Sequence, residues 1–136
     1  EMTPEQLAKS GTEHGHQAAL FCWCALNIDK YPELKWFHAI PNGGSRGDDA
    51  KTRAIRGNQL RAEGVKPGVS DTCLPVRRGL WAGLYIEMKK PGKKATKEQI
   101  EFGEFVKSQG YGFAVCDHWE KARDMLISYL EYKIEI

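Results

Sequence analysis

The stretch GLYIEMKKPGKKATKEQ, residues 83–99, decides how the chain is organised. Its first half alternates as a strand does, with Leu84, Ile86 and Met88 on one side and Tyr85, Glu87 and Lys89 on the other. Its end is a helix start. Thr96-Lys97-Glu98-Gln99 forms a capping box, in which the Thr hydroxyl and the Gln side chain satisfy each other's orphan amides. Ile100, Phe105 and Val106 carry that helix to a stop before Gly110, and residues 111–116 read as another strand. Strand, helix, strand is a βαβ unit, so its two strands are expected to run parallel. Upstream, residues 71–76 read as a strand that turns through residues 77–82 into the first one, an antiparallel hairpin. Asp117 is expected to cap a last helix carrying Ala122, Met125, Leu126, Tyr129 and Leu130 at helical spacing.

The N-terminal half supplies the flanking helices. Thr3-Pro4-Glu5-Gln6 starts a short helix ending near Gly11, with proline at its first position. Thr12 then caps a longer helix over residues 13–28. Ala18, Leu20, Phe21, Cys22, Trp23, Ala25 and Leu26 go almost all the way round it, which suits either a buried central helix or a seam between two copies. Residues 35–40 read as a strand broken by Pro41 and turned by Asn42-Gly43-Gly44. Residues 49–63 read as a basic helix closed by Gly64. The expected class is α/β: a small mixed β-sheet flanked by helices, one domain over residues 1–136.

Composition narrows the function classes. A hydrophobic fraction of 41% beside 28% charged residues suits a globular domain that buries a core. The longest apolar stretch, residues 18–26, is far short of the roughly 20 residues needed to cross a bilayer, so no membrane span is expected. The N-terminus lacks a basic segment followed by an apolar run, so no secretory leader is expected either. The net charge of +2 says little, but Lys and Arg concentrate between residues 46 and 97, a distribution suited to a polyanion. Cys22, Cys24, Cys73 and Cys116 lack paired CxxC spacing and read as buried reduced thiols. Cys22 and Cys24 diverge by about 200° on a helix, which argues against shared metal binding. His14, His16, His38 and His118 read as surface histidines, since positions 14 and 16 cannot chelate together on a helix.

A carboxylate two residues before a lysine occurs four times: Glu33 and Lys35, Asp49 and Lys51, Glu87 and Lys89, Glu131 and Lys133. Positions i and i+2 point the same way only on a strand, so helical or helix-terminal pairs are expected to separate. Glu87 and Lys89 alone lie on an alternating strand whose hairpin partner begins with an acid, Asp71. Two carboxylates held together repel unless a cation or a proton lies between them. Hard oxygen ligands select Mg²⁺ or Mn²⁺. Taken alone, these residues fit a metal site and a surface strand with an incidental salt bridge about equally well.

Gly68-Val69-Ser70-Asp71, then Tyr85-Ile86-Glu87-Met88-Lys89, then Gln99 resembles the motif series of the PD-(D/E)xK nuclease superfamily, with its restriction-endonuclease-like core. More narrowly, with Glu13 on an early helix, HAIPNGGSR and LRAEGVKPGVSD, nearly the whole chain resembles the virus-type replication-repair nuclease (VRR-NUC) domain family. The resemblance implies that Asp71 and Glu87 bind metal with Glu13 and the Met88 carbonyl, that Lys89 is catalytic, and that Gln99 supports the site. Ser70 stands where the superfamily motif has proline. Glu13 could instead only compensate a helix dipole, and Gln99 could be only a capping partner. Asn42, Gly43, Gly44 and Arg46 suit a phosphate backbone or a plain turn. Arg53, Arg56, Lys66, Lys90, Lys93 and Lys94 are further candidate DNA-backbone contacts. Small domains of this kind resemble homodimers acting on branched DNA, which implies a Holliday-junction-resolving endonuclease using Mg²⁺ or Mn²⁺. The expected setting is cytoplasmic, in a bacterium or a phage-infected cell. A flap or single-strand nuclease and a non-catalytic nucleic-acid-binding module are the alternatives.

Overall fold

The computed structural model describes residues 1–41 and 49–134, so Asn42, Gly43, Gly44 and Arg46 lie outside the described residues. The elements run α1 (Pro4–Ala8), α2 (Glu13–Leu26), a 3-10 turn (Pro32–Trp36), β1 (His38–Ala39), α3 (Ala50–Ala62), β2 (Thr72–Leu74), β3 (Leu84–Met88), α4 (Lys97–Ser108), β4 (Gly112–Cys116) and α5 (Trp119–Leu130). The four strands form one mixed sheet in the order β1-β2-β3-β4. β2 and β3 are the expected antiparallel hairpin, with Thr72 opposite Ile86 and Leu74 opposite Leu84. β3 and β4 pair in parallel, Glu87 opposite Val115 and Met88 opposite Cys116. This is the α/β class that the βαβ pattern implies.

Both faces of the sheet are covered. Leu84, Ile86 and Met88 join Leu20, Trp119 and Leu126 in the main core. Each such fully buried apolar side chain contributes about 1.5–3 kcal/mol. On the other face Tyr85 packs edge-on against Phe102 of α4 at 5.2 Å, and Phe113 of β4 lies against Gly103 of that helix. A side chain at Gly103 would put its Cβ 2.3 Å from the Phe113 ring, so the glycine is what lets α4 sit this close. Gly68 does the same for the loop before β2. It holds φ +88°, and a Cβ there would stand 2.5 Å from the Glu98 carbonyl oxygen, so the loop rests directly on the first turn of α4.

Several expectations need correction. The strand expected over residues 35–40 is mostly a 3-10 turn, with Pro32 at its start; only His38 and Ala39 are strand, although the Ile40 N–H still reaches the Asp71 carbonyl at 2.6 Å. The strand expected over residues 71–76 stops at Leu74, where Pro75 removes a donor. The cap of α5 is His118, whose Nδ1 accepts the Glu120 N–H at 3.1 Å, and Asp117 is turned elsewhere. His16 is buried at 3% exposure instead of lying on the surface; its Nδ1 accepts the Trp119 N–H at 3.1 Å and its ring meets His118 at 4.6 Å. Burial, with His118 beside it, holds the His16 imidazole below its ordinary range.

The apolar girdle of α2 is used largely within the chain. Leu20 is fully buried, Phe21 stacks on Phe37 at 4.7 Å, and Trp23 packs toward Tyr31. Leu26 remains 70% exposed. The helix is therefore packed into the chain's own core on one side, while Ala25 and Leu26 stay exposed and Ala18, Phe21, Cys22 and Trp23 are half-buried. All four cysteines are free; Cys22 is only half-buried, against expectation, and burial pushes the Cys24 thiol up to about 12 and the Cys116 thiol up to about 11. Such thiols stay protonated and inert. No helix among the described residues is long and apolar enough to cross a membrane.

Candidate active site

The hairpin register fixes the first two acids. With Thr72 opposite Ile86, the residue before β2 falls beside Glu87, and that residue is Asp71. The Asp71 carboxylate accepts the Met88 N–H at 2.9 Å, so it closes over the end of β3 where a further ladder bond would otherwise form. The third acid comes from α2. Thr12 caps that helix by accepting the Gly15 N–H at 2.9 Å, which sets Glu13 in the first turn facing the sheet. One oxygen from each of Glu13, Asp71 and Glu87 lies within 4.8 Å of the others.

Glu87 is the buried centre of this cluster, 1% exposed. Its Oε2 accepts a hydrogen bond from Gln99 Nε2 at 3.0 Å and lies 4.0 Å from Lys89 Nζ. Its Oε1 is buried and has no hydrogen-bond partner among the described residues. Burial first and the neighbouring Asp71 second, only partly offset by Lys89, push the Glu87 carboxyl up to about 9. Burial and then Asp71 raise Glu13 as well, against Lys89 and Lys93. Three carboxyls that disfavour each other's charge, one with an orphaned oxygen, are a fitting seat for a divalent cation, which takes oxygen donors and removes the repulsion.

Gln99 serves both readings at once. Its Oε1 accepts the Thr96 N–H at 2.8 Å in the capping box, which leaves the amide NH₂ free to hold Glu87. Helix capping thus orients the site residue.

The acids open into a cleft of about 810 Å³. Arg56 and Lys66 line it, as does Lys89, while Arg53, Lys90, Lys93 and Lys94 are exposed side chains outside its lining. Gln17 and Arg61 line it too, and the sequence reading missed both. Gln17 lies one helical turn after Glu13, so the i, i+4 spacing could have placed it on the same wall. Arg61 shares a face of α3 with Arg56 and Leu60.

The other three acid–lysine pairs are elsewhere. Glu33 binds Arg78, and Glu131 accepts a hydrogen bond from Tyr31 and an ion pair from Lys133 at 2.9 Å. The Glu131 pair therefore does not separate as its helix-terminal position implied. Asp49 caps α3 through the Thr52 N–H at 2.7 Å.

The VRR-NUC domain pattern matches residues 40–119, from just after β1 to the first residue of α5, and takes in both motif acids of the hairpin. The chain belongs to the VRR-NUC domain family. A solved structure described as a VRR_NUC domain protein is similar at 25% identity over 88% of each chain, with a TM-score of 0.70. Nothing among curated proteins matches the chain. As a VRR-NUC domain the protein is a nuclease of the PD-(D/E)xK type. DNA is the substrate that such a domain implies, and nucleases of this type generally use divalent metals.

Proposed function

We propose that this VRR-NUC protein is a Mg²⁺- or Mn²⁺-dependent DNA endonuclease whose site is Glu13, Asp71, Glu87, Lys89 and Gln99. The observation that carries the reading is the convergence of three carboxyl oxygens within 4.8 Å on the floor of a basic-walled cleft. Glu13, Asp71 and Glu87 would hold the cation. The Met88 carbonyl is a fitting fourth ligand, because a strand residue's N–H and C=O leave on the same side and its N–H already points to Asp71. Bound there, the ion would polarise a phosphoryl oxygen and lower the pKa of water.

The chain's own residues do the rest. Lys89 is buried beside Glu87, and its ammonium orients the attacking water or offsets charge developing on the phosphate. Gln99 fixes the Glu87 carboxylate. Arg56 and Lys66 on the cleft wall meet phosphates, with Arg53, Lys90, Lys93 and Lys94 extending the basic surface beyond it. Asn42, Gly43, Gly44 and Arg46 belong to the same proposed backbone grip.

On substrate, the reading is a branched DNA, a four-way junction resolved by a homodimer. Residues 1–134 hold one such acidic cluster among those described, and two opposed cuts require two, which a two-fold pair supplies. The test is a panel of labelled duplex, flap and four-way junction DNAs with Mg²⁺, Mn²⁺, Ca²⁺ or EDTA, beside sedimentation at micromolar protein. The expected result is paired cuts on opposing junction strands with Mg²⁺ or Mn²⁺, none in EDTA or Ca²⁺, and twice the chain mass. A monomer that prefers flaps overturns the junction reading alone. Tight DNA binding without cleavage in any metal favours a binding module.

A further inference from the structure

The loop after β3 carries Lys90, Lys93 and Lys94 in solvent, and Gly92 within it holds φ +86°. A glycine-containing exposed loop of this kind ordinarily samples many conformations. Two hydrogen bonds restrain this one. The Lys93 N–H donates to the Lys90 carbonyl at 3.0 Å, closing a turn, and the Gly92 N–H donates to Asp117 Oδ2 at 3.1 Å.

Asp117 stands on a firm base. It follows Cys116, the last residue of β4, whose carbonyl accepts the Lys89 N–H at 2.8 Å. The strand register that holds Lys89 therefore also holds the residue that grips the loop beyond it. Asp117 is free for this task because His118 caps α5. Its second oxygen, Oδ1, takes the Lys121 ammonium at 2.6 Å. The loop begins one residue after Lys89, which lines the cleft 4.0 Å from the Glu87 carboxylate, and the Lys90–Lys93 turn follows at once, so the gripped segment is the direct continuation of the site strand.

Resting on the nuclease reading above, we propose that Asp117 is a positioning residue that latches the lysine loop at Gly92 and so presents Lys93 to the phosphate at the acidic cluster. Simple electrostatics makes the opposite demand. A carboxylate bonded to a lysine-bearing loop weakens attraction to DNA, so its removal would tighten binding if charge were all that mattered. A latch predicts weaker binding instead, because the freed loop must be ordered again on every encounter.

The experiment compares Asp117→Ala, Asp117→Asn, Lys93→Ala, Lys121→Ala and the Asp117→Ala/Lys93→Ala pair. Gly92 amide exchange is followed by NMR, DNA affinity against salt in Ca²⁺, and cleavage kinetics in Mg²⁺. Asp117→Ala is expected to speed Gly92 exchange about tenfold. It should raise KM about fivefold with kcat within about twofold, since a phosphate contact acts equally on bound substrate and transition state. It should also lower the salt slope by about one, the signature of one lost phosphate contact. Asn keeps an acceptor for Gly92 and should restore all three, while Lys121→Ala should change none. Lys93→Ala should match Asp117→Ala in KM and salt slope, and the double variant should be no worse than either. Equal or tighter binding by Asp117→Ala, multiplying effects in the double variant, failure of Asn to rescue, or a matching loss in Lys121→Ala would overturn the latch. A wild-type protein that cuts no DNA removes the nuclease reading, and Gly92 exchange with DNA affinity still decides the latch.

Discussion

The floor and the wall of the cleft are built by different rules. On the floor, Glu87 and Lys89 are buried, Asp71 is tied to the Met88 amide, and Gln99 is tied to both its helix cap and Glu87. On the wall, α3 is exposed along nearly its whole length, with Gly57 its one buried residue. Groups that must meet an ion and a scissile bond tolerate little error in position, so they stand on strands and on the first turns of helices. Groups that meet a phosphate backbone need reach and charge, and exposed helix and loop residues supply both.

Truncations should separate the two regions. Asp71→Ala, Glu87→Ala and Lys89→Ala are each expected to lower cleavage by about a thousandfold or more while leaving DNA affinity within about twofold. Glu131→Ala, in the look-alike motif, should cut at the wild-type rate. An inactive Glu131→Ala beside an active Glu87→Ala would place the site elsewhere.

Wall substitutions should act on binding. Arg56→Ala and Arg61→Ala are each expected to raise KM about three- to tenfold, keep kcat, and lower the salt slope by about one. A drop in kcat with unchanged KM would move these arginines from the wall to the reaction.

How much of this was legible in the sequence follows the same division. The hairpin, the parallel pair and the Thr96 capping box were readable because alternation and cap chemistry are local. Of the acid cluster, the hairpin register brings Asp71 beside Glu87, while Glu13 and the metal role come only with the family resemblance, because no local pattern ties a helix residue to a distant sheet. Residues 35–40 misled because an apolar run after proline fits a 3-10 turn as well as a strand. His16 and Asp117 misled because their partners, Trp119 and Gly92, come from other elements brought close by folding. The girdle of α2 is matched by α1, the 3-10 turn and α5, and no local pattern reveals that division.

The smallest effect concerns stability without metal. Glu87 is held well above an unfolded carboxyl, so the folded state keeps a proton that the unfolded chain releases. Below about pH 4.5 both states are protonated and the group is neutral to stability; as pH rises toward about 9 it progressively destabilises the fold. Glu87→Gln should therefore raise the metal-free Tm at pH 8 by about 5 °C, with the gain fading near pH 4. A variant that melts lower at both pH values would show that the carboxyl is not strained in the metal-free protein.

Calorimetric titration of Mn²⁺ at pH 7 in two buffers of different protonation heat tests the central claim, that Glu13, Asp71 and Glu87 form one cation site. The ion must displace the proton carried by Glu87, so binding should release close to one proton and its heat should depend on the buffer. Asp71→Ala and Glu87→Gln should each abolish that binding. Wild-type affinity retained in both variants would contradict the account, because the cation would then sit somewhere other than this cluster.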